Sequence, residues 1–333
     1  MASMRVPQSA LTRRTAIRAL TAGLAAPVLF RAGSALAAYP DRPVRIVVAN
    51  SPGGPSDIIA RIMAAALQEK VAGSFVVENK GGAGGNIGMG FVARAEPDGY
   101  TILLTTNTPH AANVALFKSL PFDPVKDFAP IVRLITTSMV LLVRSDFPAS
   151  TLKDFIAHAK SKPNGLSAGY GSAATIVSIA KLRTAGGFKT LDVPYKGVPL
   201  AITDVLSGQV DFTLGDLAVS MPQIHGGKMK GLGVTSPQRS PLAPELPAIA
   251  ETFPGFETRI WYGLVAPANT PKAVVAKVHD VVSTSLAKPE VKARLAGFGL
   301  EPAPMPPDEF AAFIKQEIAK WTKEIREAGI QPE

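Results

Sequence analysis

The stretch from Val44 to Lys70, VRIVVANSPGGPSDIIARIMAAALQEK, most narrows what this chain can fold into. Residues 44–49 form an apolar, β-branched run that suits a strand buried on both faces. Asn50-Ser51-Pro52-Gly53-Gly54-Pro55-Ser56 is dense in turn formers and cannot continue that strand. From Asp57 onward Ile58, Ile59, Ile62, Met63, Ala66 and Leu67 recur at helical spacing. The pattern is strand, glycine turn, helix start. Backbone N–H groups left unpaired at such a turn, with the partial positive charge of the helix N-terminus, can hold an anion. Any strand-to-helix unit also needs a turn, so Ser56 or Asp57 acting as a simple cap is an equal alternative here.

The same alternation runs on. Short strands are expected at residues 75–78 and 100–106, with the glycine run Gly81-Gly82-Ala83-Gly84-Gly85 and a helix over 87–95 between them. Asn107-Thr108-Pro109-His110 reads as a loop after the second of these strands. The apolar region 131–143 is interrupted by Thr136-Thr137-Ser138 and reads as a crossing between domains. Beyond it, helices are expected near 152–161, 176–184 and 198–206, the second preceded by a loop Gly171-Ser172-Ala173-Ala174-Thr175, and strands near 166–170, 191–195, 210–214 and 229–235. Thr151-Leu152-Lys153-Asp154 resembles a capping box with Asp in place of Glu. A Pro-rich connection leads to a return crossing at 261–266, and two helices near 272–286 and 308–328 finish the chain. Alternating strands and helices predict an α/β architecture with a largely parallel sheet. The two crossings predict a discontinuous first lobe (38–137 and 259–333) with a second lobe (138–258) inserted in it. Ligands of open α/β sheets gather at strand carboxyl ends, where several of these small, polar loops lie.

The chain's 333 residues suffice for two such cores. Residues 1–37 read as an export signal: Arg5, Arg13, Arg14 and Arg18 precede an apolar stretch from Ala19 to Phe30 too short for a stable anchor. Thr12-Arg13-Arg14-Thr15-Ala16 is twin-arginine-like, and Ala35-Leu36-Ala37 sets cleavage near Ala37/Ala38. This segment holds five arginines and no acid, so removing it lowers the net charge from +9 to +4. No dense basic stripe remains, which argues against nucleic acid as a partner. Cysteine is absent, excluding disulfides and thiolate chemistry.

Catalytic and cofactor motifs are poorly represented. Gly82-Ala83-Gly84-Gly85-Asn86-Ile87 fails the dinucleotide fingerprint at its last position, and no phosphate-binding loop is present. His110, His158, His225 and His279 form no H-x-x-x-H pair, so neither metal nor cofactor is expected. His110, in a strand-end loop, is open to either a structural role or ligand contact. Trp261 and Tyr262 can pack a ligand or an interdomain contact. Ser178-Ile179-Ala180-Lys181 matches S-x-x-K, which keeps an exported serine hydrolase as a competing reading. No base and oxyanion donors accompany it, so the expectation is a binding protein and not an enzyme.

Several motifs together resemble one family. Tyr39-Pro40-Asp41-Arg42-Pro43-Val44 with Pro52-Gly53-Gly54-Pro55-Ser56-Asp57 is similar to the opening of the tripartite tricarboxylate transporter receptors, the Bug family. Glu78-Asn79-Lys80-Gly81-Gly82, Pro97-Asp98-Gly99-Tyr100, Leu120-Pro121-Phe122-Asp123-Pro124, Val193-Pro194-Tyr195-Lys196-Gly197, Ser207-Gly208-Gln209 and Ala266-Pro267-Ala268-Asn269 continue the resemblance in order. It implies a two-lobed fold of the type II-like periplasmic-binding-protein kind, with a cleft between the lobes. It also implies a periplasmic monomer that takes a small organic carboxylate, aliphatic or aromatic, to integral-membrane transporter subunits; a ligand sensor for a signalling partner is the variant of this role. The resemblance assigns ligand contact to Gly53, Gly54, Ser56, Asp57, Asn86 and Asn107 from the first lobe. From the second it assigns Ser172, Ala173, Thr175, Tyr195, Gly197 and Asp216. Members usually carry a His-Leu pair about where Ser178 stands in this chain.

Overall fold

The computed structural model describes residues 39–71 and 73–332, so the expected export signal lies outside the described residues. The opening unit forms as its residues dictate. β1 (Val44–Val48) runs into the glycine turn and then α1 (Pro55–Lys70). Pro55 at the first helical position has the φ a helix needs and no N–H to lose, with Asp57 in the first turn and Lys70 in the last. β2 (Phe75–Asn79) and β3 (Thr101–Thr106) flank β1 in parallel, and α2 (Asn86–Ala93) connects them.

The sheet is mixed and not largely parallel. Its order is β2-β1-β3-β9-β4-β7-β5-β6, with β8 and β10 also pairing β4. The parallel trios β2-β1-β3 and β6-β5-β7 are separated by β4 (Phe128–Arg144) and β9 (Arg259–Pro267), which run antiparallel to their neighbours. Strands β5 (Leu166–Tyr170), β6 (Thr190–Pro194) and β7 (Phe212–Asp216) alternate with α5 (Ala173–Gly186) and α6 (Val198–Ser207). α4 (Leu152–Lys160) precedes β5, and Thr151 caps it by accepting the Asp154 N–H, as its capping sequence predicts. β8 (Met229–Val234) and β10 (Glu301–Met305) complete the sheet.

β4 is the pivot. Thr136-Thr137-Ser138, expected as an interruption, continues the strand by pairing with Trp261, Ile260 and Arg259 of β9, and Thr137 Oγ1 donates to Gly299 O at 3.0 Å. What changes at this point is the partner: Phe128–Ser138 pairs with β9, whereas Met139–Val143 pairs with β7. One continuous strand therefore serves two α/β lobes. Their cores are distinct. One gathers Val140, Leu142, Ile202, Val205 and Leu217. The other surrounds Trp261, which meets Phe310 of α10 (Pro307–Glu327) edge-on at 5.5 Å between ring centroids. The nitrogens of Trp261 and Trp321 both donate to the buried Glu317 carboxylate at 2.9 Å.

The residues after β3 are helical where a loop was expected. Thr108–Ala112 forms one π turn that continues into α3 (Asn113–Leu116), so His110 is interior and not a loop residue. No helix among the described residues is long and apolar enough to cross a membrane.

Candidate functional site

The candidate residues stand in the segments that follow β1, β2, β3, β5 and β6 and at the end of β7. In the first, Gly54 is the N-cap of α1 and its carbonyl accepts from Asp57 N and Ile58 N at 3.0 and 3.2 Å. Asp57 reaches back and closes the turn. Its Oδ2 accepts from Gly53 N–H and Arg61 Nε, each at 3.1 Å. Burial pushes this carboxyl up, but the bonds from Arg61 and Gly53 outweigh it and hold the group below the ordinary carboxylate range. Asn79 acts in the same direction without an ordinary hydrogen bond to Oδ1. The Gly53 N–H, expected to meet a ligand, donates within the protein, an arrangement that follows from the i, i+4 reach of Asp57. Ser56, also buried, donates from Oγ to Asn50 Oδ1 at 3.0 Å and fixes that side chain at the strand end.

The second glycine run is packed against this loop. A Cβ on Gly88 would stand 2.8 Å from both Ala49 Cα and Lys80 O, so only glycine admits the close approach of α2 to the end of β1. Asn86 Oδ1 accepts from Asn113 Nδ2 at 2.7 Å, and the same nitrogen donates to Gly84 O at 3.0 Å. Asn107, directly after β3, is buried, and its Nδ2 has no hydrogen-bond partner among the described residues. A buried amide donor without an acceptor is costly, and a ligand oxygen would relieve it.

His110 has a structural place. Nε2 lies 2.9 Å from Pro124 O, Nδ1 lies 3.3 Å from Thr105 Oγ1, and the ring packs 5.3 Å from Phe128. Burial lowers its pKa to about 4 against the opposing pull of the Pro124 carbonyl, so the imidazole is neutral.

In the second lobe Ser172 caps α5, accepting from Thr175 N at 3.2 Å, with its Oγ 2.9 Å from Thr175 Oγ1. Thr175 also donates to Leu214 O at 3.3 Å, and with Ala173 it lies in the first turn of the helix and not in the expected loop. The Tyr195 hydroxyl donates to Asp204 Oδ2 at 2.8 Å, while Lys196 beside it is exposed. A Cβ on Gly171 would stand 2.2 Å from Gly197 C, so the β5–α5 and β6–α6 loops touch backbone to backbone. A Cβ on Gly197 would lie 4.0 Å from Ser51 Oγ. The loops opening α1, α5 and α6 therefore meet around Gly197. Asp216 is the last residue of β7, buried, and accepts from the Tyr262 hydroxyl at 2.6 Å. Residue-by-residue reading did not single out Asn50 or Ser51, which lay inside a run of turn formers, nor the pairing of Tyr262 with a residue 46 positions away.

The S-x-x-K pair builds no nucleophile. Ser178 is wholly buried with its Oγ unpartnered, and Lys181 donates to Glu257 O and lies 3.5 Å from Glu324. Among the described residues no group of three or more His, Asp or Glu could hold a metal ion.

Residues 59–330 match the family model described as the tripartite tricarboxylate transporter family receptor. This chain belongs to that receptor family. The solved periplasmic binding protein BugD is 36% identical, with a TM-score of 0.83, covering 89% of this chain and 100% of that one. An R. palustris protein solved with adipate is 33% identical, with a TM-score of 0.86 over 89% of this chain and 100% of its own. MatC from Rhodopseudomonas palustris, solved with bound malate, is 31% identical, with a TM-score of 0.79 over 86% and 100%. The family and these neighbours bind solutes, and the two-lobed fold is theirs.

Proposed function

We propose that the protein is a monomeric periplasmic receptor that captures a small organic mono- or dicarboxylate, aliphatic or aromatic, between its lobes. It would deliver the acid to the membrane subunits of a tripartite tricarboxylate-type transporter, without a cofactor. In this reading the first lobe comprises 38–137 and 259–333, the second comprises 138–258, and the signal over 1–37 directs export. Supporting it are the receptor family and the carboxylates, adipate and malate, held by two neighbours.

The observation that carries the reading is the meeting of three helix-opening loops at Gly197, each the start of a helix whose positive end favours an anion. The resemblance assigns Gly53, Gly54, Ser56, Asp57, Asn86, Asn107, Ser172, Ala173, Thr175, Tyr195, Gly197 and Asp216 to the ligand. Of these, Gly54, Ser56, Asn86, Asn107, Ala173, Gly197 and Asp216 are retained in this reading, and Asn107 contributes a buried donor without a partner among the described residues. Oriented backbone dipoles and side-chain amides, and not an ion pair, neutralise the carboxylate. Asp57, clamped to Gly53 and Arg61, serves the turn and not the ligand.

Thermal unfolding across a panel of mono- and dicarboxylates tests this. Ligand at about a hundredfold excess over its Kd adds about 2.7 kcal/mol of stability, visible as a raised Tm. No rise with any acid of the panel would sink the proposal.

A further inference from the structure

Asp216 is an unusual group to find where an anion is to be held. It ends β7, stands at the N-cap position of α7 (Leu217–His225) without a side-chain cap bond, and is 9% exposed. The only side-chain hydrogen bond it makes among the described residues is the one from Tyr262, at 2.6 Å to Oδ2. Tyr262 itself stands opposite Thr106, the residue before Asn107, so the pair adjoins the unpartnered Asn107 amide.

The surroundings carry no compensating charge. Opposite Asp216 on β4 stands Met139, between Ser138 and Val140. On β9 Tyr262 lies between Trp261 and Gly263; α7 begins Leu217-Ala218-Val219-Ser220; and Gly299, in a stretch without ionisable residues from Leu295 to Leu300, packs on Leu217. The ionisable side chains of these elements, and of α5 and α6 packed on β7, are engaged elsewhere: Arg133 with Ala303 O, Arg144 with Asp146, Arg259 with Glu257, His225 with Glu245, Lys181 with Glu257 O and Glu324, Arg183 with Asp192, Asp204 with Tyr195. Tyr262 alone faces the carboxyl, and burial followed by the Asp216 charge holds its hydroxyl well above the ordinary range, so it remains a donor. A buried carboxylate with one neutral donor and no cation is poorly stabilised, and a bound anion nearby would repel it further. The neutral acid, by contrast, has an O–H to give.

We propose that Asp216 enters the complex as the neutral acid. Oδ2 keeps the Tyr262 hydrogen bond, a proton taken from solvent sits on Oδ1, and that O–H donates to the ligand carboxylate. Binding is thereby coupled to uptake of one proton, and the site selects acids able to bring a carboxylate oxygen to Oδ1. The inference rests on the carboxylate-receptor reading given above. Burial, opposed by the Tyr262 bond, raises the free carboxyl to about 6, so near neutral pH the proton is mostly absent before the ligand arrives. A proton held more tightly in the complex makes affinity greatest below about pH 6 and weaker by up to about tenfold per unit above it.

The test is titration calorimetry of the purified protein with adipate and malate between about pH 5 and pH 8, in buffers of different ionisation enthalpy. The expected result is a buffer-dependent heat equal to about one proton taken up per ligand near pH 7. Asp216→Asn, neutral and still a donor, is expected to bind with no proton uptake and a flat pH profile. Saturable binding with no uptake and no pH dependence overturns the proposal while leaving the receptor reading intact. So does a folded Asp216→Asn whose affinity falls tenfold or more at about pH 6. A measurement that needs neither ligand nor variant is carbon-13 carboxyl NMR of the aspartates in the ligand-free protein. One aspartate titrating near 6 is expected, and titration of all of them in the ordinary range overturns the proposal. Absence of binding by every acid tried is the separate failure of the receptor reading.

Discussion

At the scale of single residues, the buried polar groups decide how the molecule responds to pH. His110 has a folded pKa of about 4 against 6.5 for the free side chain. As pH falls, the unfolded chain takes up this proton first, so the group favours the folded state above about 6.5 and loses that advantage as pH drops toward 4. The difference corresponds to roughly 3 kcal/mol. Asp216 works in the opposite sense: its raised pKa favours the folded state at low pH and is lost as pH rises through about 6. Urea unfolding of His110→Gln across this window is expected to show a flatter acid limb than the natural protein, whatever uniform loss the substitution brings. Equal slopes would contradict the assignment of His110 as a buried neutral group.

At the scale of elements, the loops at the strand ends depend on close backbone approach. Alanine at 171 would place its Cβ 2.2 Å from Gly197 C and 2.4 Å from Val198 N, so the two loops must part. Gly171→Ala is expected to cost about 1–3 kcal/mol of stability and to weaken ligand binding. Gly187→Ala, at a helix end with φ +64 and only Lys160 side-chain atoms within 4 Å, is the control. It is expected to cost about 1–2 kcal/mol and to leave binding unchanged. Binding and stability measured on both variants check this, and intact binding in Gly171→Ala would contradict it.

Much at this scale was legible beforehand. β1 with α1, the Thr151 cap and β5 follow from apolar periodicity and capping residues. Proline hid other elements: α7 contains Pro222, the π turn contains Pro109, and β10 contains Pro302 and Pro304, each a residue that argues locally against the element it occupies. α9 (Pro289–Ala296), a short helix, was also missed. The mixed sheet was illegible for a different reason, since strand direction is set by which strands meet in space. The candidate residues were expected in loops at strand ends, and several of them instead open the helices that follow: Ser56 and Asp57, Asn86, and Ala173 with Thr175. Their partners, such as Asn50 for Ser56 and Tyr262 for Asp216, depend on contacts that no local pattern encodes.

At the scale of the whole molecule, β4 and β9 join the lobes, and the Tyr262–Asp216 hydrogen bond spans from β9 to the end of β7. Lys181 of α5 adds a second tie to Glu324 of α10, which accounts for the S-x-x-K lysine without any catalytic role. In the proposed reading helix N-termini, backbone amides and the Asn107 amide supply the donors for an anion, and no arginine or lysine is among the ligand residues the resemblance assigns. The measurement that tests this account most directly is the crystal structure of the protein with the acid that raises its Tm most. The account predicts the carboxylate seated among the loops that open α1, α5 and α6, within hydrogen-bond distance of Asn107 Nδ2 and Asp216 Oδ1, and met by no arginine or lysine side chain. A carboxylate bound elsewhere, or paired with a lysine or arginine, would contradict it.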